Sequence, residues 1–214
     1  MKKIKKFIKE NKIPIIIISI ATLLFTTLAI LVITESSIHF DTQIHSYILN
    51  IRNEKLTSIL NFITNFAGAS FLLALCVILL IIIKNKKIPL YMLINLTCAF
   101  LTNETAKNIF ERSRPIGINL IEETGLSFPS GHSMVGLAFY GFIIYLIYKL
   151  ISNKRKKQLF TIILSIIILL IGFSRIYLGV HYFTDVIGGF LLGIIYLTIY
   201  INIIKIESRD KRWM

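Results

Sequence analysis

The sequence predicts an all-α membrane protein, six transmembrane helices in one bundle, with a short interfacial helix in the first outer loop. Three observations predict it. Of the 214 residues, 55% are hydrophobic, and the mean hydropathy is positive. Several apolar runs reach the roughly 20 residues that a bilayer crossing needs. The net charge of +13 is concentrated in short segments between those runs, as the positive-inside bias requires. That distribution argues against nucleic acid as a partner. Cys76 and Cys98 fall in separate apolar runs without CxxC spacing, so they read as packing rather than as a disulfide or metal site.

Residues 1–13 carry Lys2, Lys3, Lys5, Lys6, Lys9 and Lys12, a basic cytoplasmic N-terminus expected to sit on anionic lipid. Pro14 opens an apolar run to Thr34. It is too long for a signal-peptide core and lacks a small-residue cleavage pattern, so it reads as a retained first span. In the loop that follows, Ile44, Ile48, Ile51 and Leu56 recur at helical spacing, which predicts the interfacial helix. His39 and His45 are given no role. The second span runs from Ser58 to Ile83, with Gly68-Ala69-Ser70 expected to allow close helix contact.

Lys84, Lys86 and Lys87 form a basic turn before a third span from Ile88, which becomes polar at Asn103, Glu104 and Lys107. Pro115 makes Arg114 a helix end. If the helix persists, Lys107 and Arg114 lie two turns apart on one face. Glu104 and Glu111 are unassigned, and Glu122 and Glu123 read as solvated charge. Phe128-Pro129-Ser130-Gly131-His132-Ser133 opens the fourth span, which ends near Ile151. Proline, serine and glycine suit a helix start, and a helix N-terminus is a natural phosphate site. Taken alone, this stretch reads equally well as an ordinary cap.

A second basic loop holds Lys149, Lys154, Arg155, Lys156 and Lys157, and a fifth span covers Phe160 to Ser174. A turn through Arg175 leads into the sixth, which passes Asp185 and ends near Ile206. Gly188, Gly189 and Gly193 give it a helix-packing face. The membrane domain is thus 14–206, followed by a basic cytoplasmic tail, 207–214. If the stretch from His181 is helical, His181 and Asp185 share a face, and the carboxylate can orient the imidazole as nucleophile or base.

Six spans put both termini and the two lysine-rich turns on one side, which their charge makes cytoplasmic. Lys107 to Arg114, Ser130 to His132 and Arg175 to Asp185 then meet on the other side. Three cations (Lys107, Arg114, Arg175), a hydroxyl, helix-start amides and two histidines make a phosphate site with acid–base chemistry. The cations stand where many phosphoryl-transfer enzymes use magnesium, and no HExxH or carboxylate run suggests a metal. The expected mechanism is attack by His181, held by Asp185, to form a phosphohistidine. His132 protonates the leaving oxygen and then activates water.

Lys107 through Arg114-Pro115, Pro129-Ser130-Gly131-His132, and Ser174-Arg175 with His181 and Asp185 together resemble the three-part signature of the type 2 phosphatidic acid phosphatase family, without a departure at any signature position. The resemblance implies a phosphatase that needs no metal or other cofactor and works through a histidine nucleophile. Lys107, Arg114, Ser130, Gly131 and Arg175 would bind phosphate, His132 would be the acid, His181 the nucleophile and Asp185 its partner. It further implies a bacterial plasma-membrane enzyme with no obligatory protein partner. The expected substrate is a lipid phosphate. An outward-facing site favours undecaprenyl pyrophosphate, with overlap onto phosphatidylglycerophosphate. Alternatives are phosphatidylglycerophosphate or phosphatidic acid as the main substrate, a water-soluble phosphate, a catalytically dead relative, or a lipid transporter whose outer cations only gather anionic headgroups.

Overall fold

A computed structural model describes residues 11–210, with side chains described as far as 205. Lys2 to Lys9, Arg209, Lys211 and Arg212, which carry much of the charge expected at the two termini, lie outside those residues or outside the described side chains. The described chain is helical and contains no strand. In order, the helices are α1 (Lys12–Ile33), α2 (Ile38–Ile51), α3 (Glu54–Thr64), a 3-10 turn (Asn65–Ala67), α4 (Ala69–Ile82), α5 (Lys87–Phe110), α6 (Gly131–Leu150), α7 (Lys154–Tyr177) and α8 (Phe183–Asp210).

Helix α6 packs against α5, α7 and α8, with α1 along α8, α3 against α7 and α4 against α5. The core between them is apolar and includes Leu72, Cys76, Phe139, Phe142, Ile171 and Ile204. The outer face is apolar as well, with Leu23, Ile81, Leu101, Ile162 and Leu169 exposed, as lipid contact requires. Gly189 lets α8 approach closely: a Cβ there would lie 2.6 Å from the Ser130 carbonyl oxygen and 2.9 Å from Ser133 Cβ.

Four helices are long and apolar enough to cross a membrane: α1, α6, α7 and the Phe183–Lys205 part of α8. A fifth span results if Glu54–Ala67 and Ala69–Ile82, bent by 53°, count as one broken span. Helix α5 has 24 residues but is not among them, because Asn95, Asn103, Glu104 and Lys107 lower its hydropathy.

Several expectations change in detail. Gly68 is the bend itself, extended at φ −65°, ψ 139°, rather than a helix-contact site. Helix α5 stops at Phe110, where Glu111 turns left-handed (φ 49°) and its N–H bonds the Lys107 carbonyl. Lys107 and Arg114 therefore do not share a helical face. Helix α7 starts six residues before the expected Phe160 because Asn153 caps it, accepting from the Lys156 N–H. The expected interfacial helix is α2, but its buried face packs on protein. Ile48 shares a buried cluster with Leu60, Ile176 and Leu178, and Asp41 and His45 are buried on the same helix.

Candidate active site

The ends of α5, α6, α7 and α8 come together at one end of the bundle. Helix α7 ends at Tyr177, and the turn to α8 passes through Gly179, whose φ of +74° favours a residue without Cβ. The amides of Val180 and His181 fold back onto the Arg175 carbonyl at 3.2 and 3.3 Å. Helix α8 starts only at Phe183. His181 thus precedes the helix while Asp185 sits in its first turn, so they are not an i,i+4 helical pair.

His181 is buried, with Nδ1 3.5 Å from Asp185 Oδ2. That is long for a direct hydrogen bond, and Ser127 closes the gap. Its Oγ donates to Asp185 Oδ2 at 2.5 Å and lies 3.3 Å from His181 Nδ1, from which it can accept. On the other side, Arg114 Nη1 donates to His181 Nε2 at 3.1 Å. This pattern places the ring proton on Nδ1 and a lone pair on Nε2. Burial lowers the imidazole from its ordinary 6.5 to about 4, despite the opposing pull of Asp185. The ring is therefore neutral at physiological pH, as a nucleophile must be. Since the unfolded ring binds its proton more readily, this group's stabilisation is complete above pH 6.5 and fades as pH falls toward 4.

Arg114 is held by backbone: Nε donates to the Gly125 carbonyl at 3.0 Å, Nη2 to Thr124 at 3.1 Å and Nη1 to Val180 at 2.9 Å. Arg175 sits in the last turn of α7, 1% exposed. It donates to Thr64 Oγ1 at 2.9 Å and to the Glu123 carboxylate, while its Nε finds no acceptor among the described residues. Glu123 is therefore not solvated charge. Burial alone would raise its carboxyl, but Arg175 and Arg114 outweigh that and hold it below the ordinary range.

Lys107 Nζ, 3.2 Å from Glu104 Oε1, lies over Gly131. A Cβ there would be 3.8 Å from Nζ and 2.9 Å from Asn103 Oδ1, so the glycine opens space for an anion. Ser130 is buried as the N-cap residue of α6, its N–H donating to the Asp185 carbonyl at 3.0 Å and its Oγ accepting from Ser133 at 3.1 Å.

A cavity of about 370 Å³ joins these parts. Lys107, Arg114, Gly131, His132, His181 and Glu123 line its polar end. Leu73 of α4 and Leu93, Leu96 and Phe100 of α5 line its apolar end. All eight expected site residues fall in one region: five line the cavity, while Ser130, Arg175 and Asp185 are buried behind it. Sequence reading missed Ser127, Glu123 and Arg112, which donates to Asp185 Oδ1 at 2.6 Å. A cation two residues before Arg114 and a carboxylate in the loop before Phe128 were the only signals.

Residues 88–209, more than half of the chain, match the PAP2 superfamily. The chain belongs to that family. It is 37% identical over 178 residues to phosphatidylglycerophosphatase B of Bacillus subtilis (strain 168), covering 81% of this chain and 87% of that one. It is 30% identical over 183 residues to undecaprenyl-diphosphatase of Sulfolobus acidocaldarius, covering 81% and 84%. The crystal structure of a transmembrane PAP2 type phosphatidylglycerolphosphate phosphatase from Bacillus subtilis superimposes with a TM-score of 0.82 at 34% identity, over 90% of this chain and 98% of that one. LpxE of Aquifex aeolicus shares the fold, with a TM-score of 0.59 at 24% identity over 75% of this chain and 94% of that one. The PAP2 chain is thus a membrane phosphatase, a hydrolase of the lipid phosphatase family.

Proposed function

We propose that the protein hydrolyses a phosphate monoester carried on a membrane lipid, through a phosphohistidine on His181, without a metal ion. One observation carries this reading: Lys107, Arg114, His132 and His181 converge on a cavity whose other half is apolar and lined by α4 and α5. A phosphoryl group fits the first half and the start of an acyl or prenyl chain the second.

In the proposed mechanism the lone pair on His181 Nε2 attacks phosphorus, and the bond from phosphorus to the lipid oxygen breaks. His132 delivers its proton to that oxygen. Water then attacks the N-bound phosphoryl group while His132 takes up a proton, the N–P bond breaks, and phosphate leaves. Arg114, Lys107 and Arg175 hold the equatorial oxygens. Arg114 Nη1 already touches Nε2, so a phosphoryl group on that nitrogen meets a donor without rearrangement.

Charge balance refines the substrate. Three cations share the site with Glu104 and Glu123, a modest positive excess that suits a monoester dianion better than a pyrophosphate. Phosphatidylglycerophosphate therefore moves ahead of undecaprenyl pyrophosphate, reversing the preference drawn from topology, and the more similar curated relative carries the former activity in its name. In this proposal six spans cross the membrane, the bent α3–α4 pair and α5 included. The termini and the lysine turns lie on anionic lipid at the cytoplasmic face, and the site opens outward. The test compares phosphate release from micellar phosphatidylglycerophosphate, undecaprenyl pyrophosphate and a soluble ester, in excess chelator. The lipid monoester should be fastest. A requirement for magnesium, or a soluble ester matching the lipids, would overturn this reading.

Glu123 gives a second expectation. Its carboxylate occupies the two arginines that phosphate needs, so an incoming anion must displace it. Glu123→Gln removes that competing charge, and vanadate should inhibit about tenfold more tightly, equivalent to about 1.4 kcal/mol. A vanadate inhibition constant that is unchanged or weaker would show that the carboxylate does not compete.

A further inference from the structure

The family match starts at residue 88, yet part of what holds the catalytic turn lies before it. Asp41 and His45 face that turn from α2, and Arg52 reaches it from just beyond the helix end. Arg52 donates to the Tyr177 carbonyl through Nη2 at 2.7 Å and Nε at 3.1 Å. His45 Nε2 lies 3.2 Å from the His181 carbonyl oxygen. Asp41 Oδ1 accepts from the Thr184 amide at 3.0 Å, and Oδ2 accepts from Thr184 Oγ1 at 2.6 Å. Positions 41, 45 and 48 share one helical face, and Ile48 belongs to the same buried cluster as Leu178 and Ile176.

Arg112 joins this face to the reacting residues. Its Nη1 donates to Asp185 Oδ1 at 2.6 Å and to Thr184 Oγ1 at 2.7 Å. Its Nη2 donates to Asp41 Oδ2 at 2.7 Å, and the guanidinium lies over the Tyr182 ring, 4.2 Å from its centroid. Both carboxylates have 0% exposure. A buried carboxylate persists only when paired, and one planar guanidinium pairs two of them here.

We propose that Arg112 and Asp41 are positioning residues for the His181–Asp185 pair, and that α2 is a splint fixing the catalytic turn. This rests on His181 being the nucleophile. Bound by Arg112 at Oδ1, the Asp185 carboxylate cannot rotate, and Oδ2 stays turned toward Ser127 and His181 Nδ1. Two carboxylates against one guanidinium also leave the cluster one negative charge in excess. That charge balances the His181 ring, which becomes cationic when Nε2 carries phosphorus and Nδ1 keeps its proton. Asp41 thus acts on the transition state through Arg112 without touching substrate.

The test uses the full-length protein in detergent with a soluble chromogenic ester, reading kcat, KM, the vanadate inhibition constant and the rate of phosphoenzyme formation. Asp41→Asn, and Arg112→Lys, whose point charge cannot span two carboxylates, should each lower kcat about a hundredfold. KM and vanadate inhibition should stay near the parent values. Combined with Asp185→Asn, Arg112→Lys should add almost nothing, because both act through one carboxylate. Full kcat in either single variant, or losses that multiply in the double variant, would overturn the proposal. Should a variant lose vanadate binding, Thr184→Val decides instead: it removes only the hydroxyl shared by Arg112 and Asp41, and kcat must fall with KM unchanged. His181→Ala serves as control, since activity surviving there would sink the nucleophile assignment rather than the splint.

Discussion

His181→Ala is expected to lose all turnover, by at least about ten-thousandfold, while the protein stays folded. The size of the effect follows from what each ring nitrogen does. Nδ1 faces Ser127 and Asp185, whereas Nε2 faces Arg114 in the cavity, so only Nε2 can reach phosphorus. Among the described residues lining the cavity, the other imidazole, His132, is the one the mechanism uses as acid. The substitution also strips a buried ring of its contacts, so folding must be measured beside activity, by helical circular dichroism and monodisperse elution. In the parent protein, a quench during turnover should trap a phosphoryl group that is stable to base and released by acid, as phosphoimidazoles are. Substantial turnover in the alanine variant, or a trapped group that survives acid, would remove His181 from its role.

His132→Ala is expected to lose about a hundredfold to ten-thousandfold on an alkyl phosphate, the usual worth of a general acid–base group. The effect should depend on the leaving group. A lipid alkoxide is a poor leaving group and needs the proton that His132 delivers, whereas a nitrophenolate leaves without it. With the chromogenic ester the first step should therefore remain fast. The second step should stall, since water then lacks its base, and phosphoenzyme should accumulate as a burst of nitrophenol. An equal loss on both esters with no burst would mean that His132 only shapes the cavity. Its place supports the acid role: it lies in the first turn of α6, lining the cavity with His181, Lys107 and Arg114.

The sequence spoke most clearly where local rules sufficed. Runs such as 14–34 and the one opened by 128–133 and ending near Ile151 are apolar enough to be read as spans by length alone, and α1 and α6 lie there. The signature residues could be found because each type is costly at a membrane boundary and rarely placed there without function. Helix α5 was harder. It was expected as the third span, but its polar end keeps it out of the helices apolar enough to cross a membrane, and the stop at Phe110 depends on a left-handed Glu111 that no pattern announced. In sequence Glu123 reads as solvated loop charge, and His45 carries no assigned role. Each proved half-buried or buried against a partner more than 50 positions away in sequence.

Taken by itself, the chain determined its helical class, its membrane character and eight candidate residues that the fold gathers in one region, because apolar length, charge placement and motif spacing are properties of neighbours in sequence. Only the tertiary structure decided that Ser127 lies between His181 and Asp185, that Glu123 pairs with Arg175 and Arg114, and that Asp41 and Arg112 hold Thr184 and Asp185 at the start of α8. The long-range contacts among them join α2, two loops, α7 and α8 across 52 to 143 positions. Partners so distant are chosen by how helices pack and by the need to pair every buried charge, and a linear pattern carries neither.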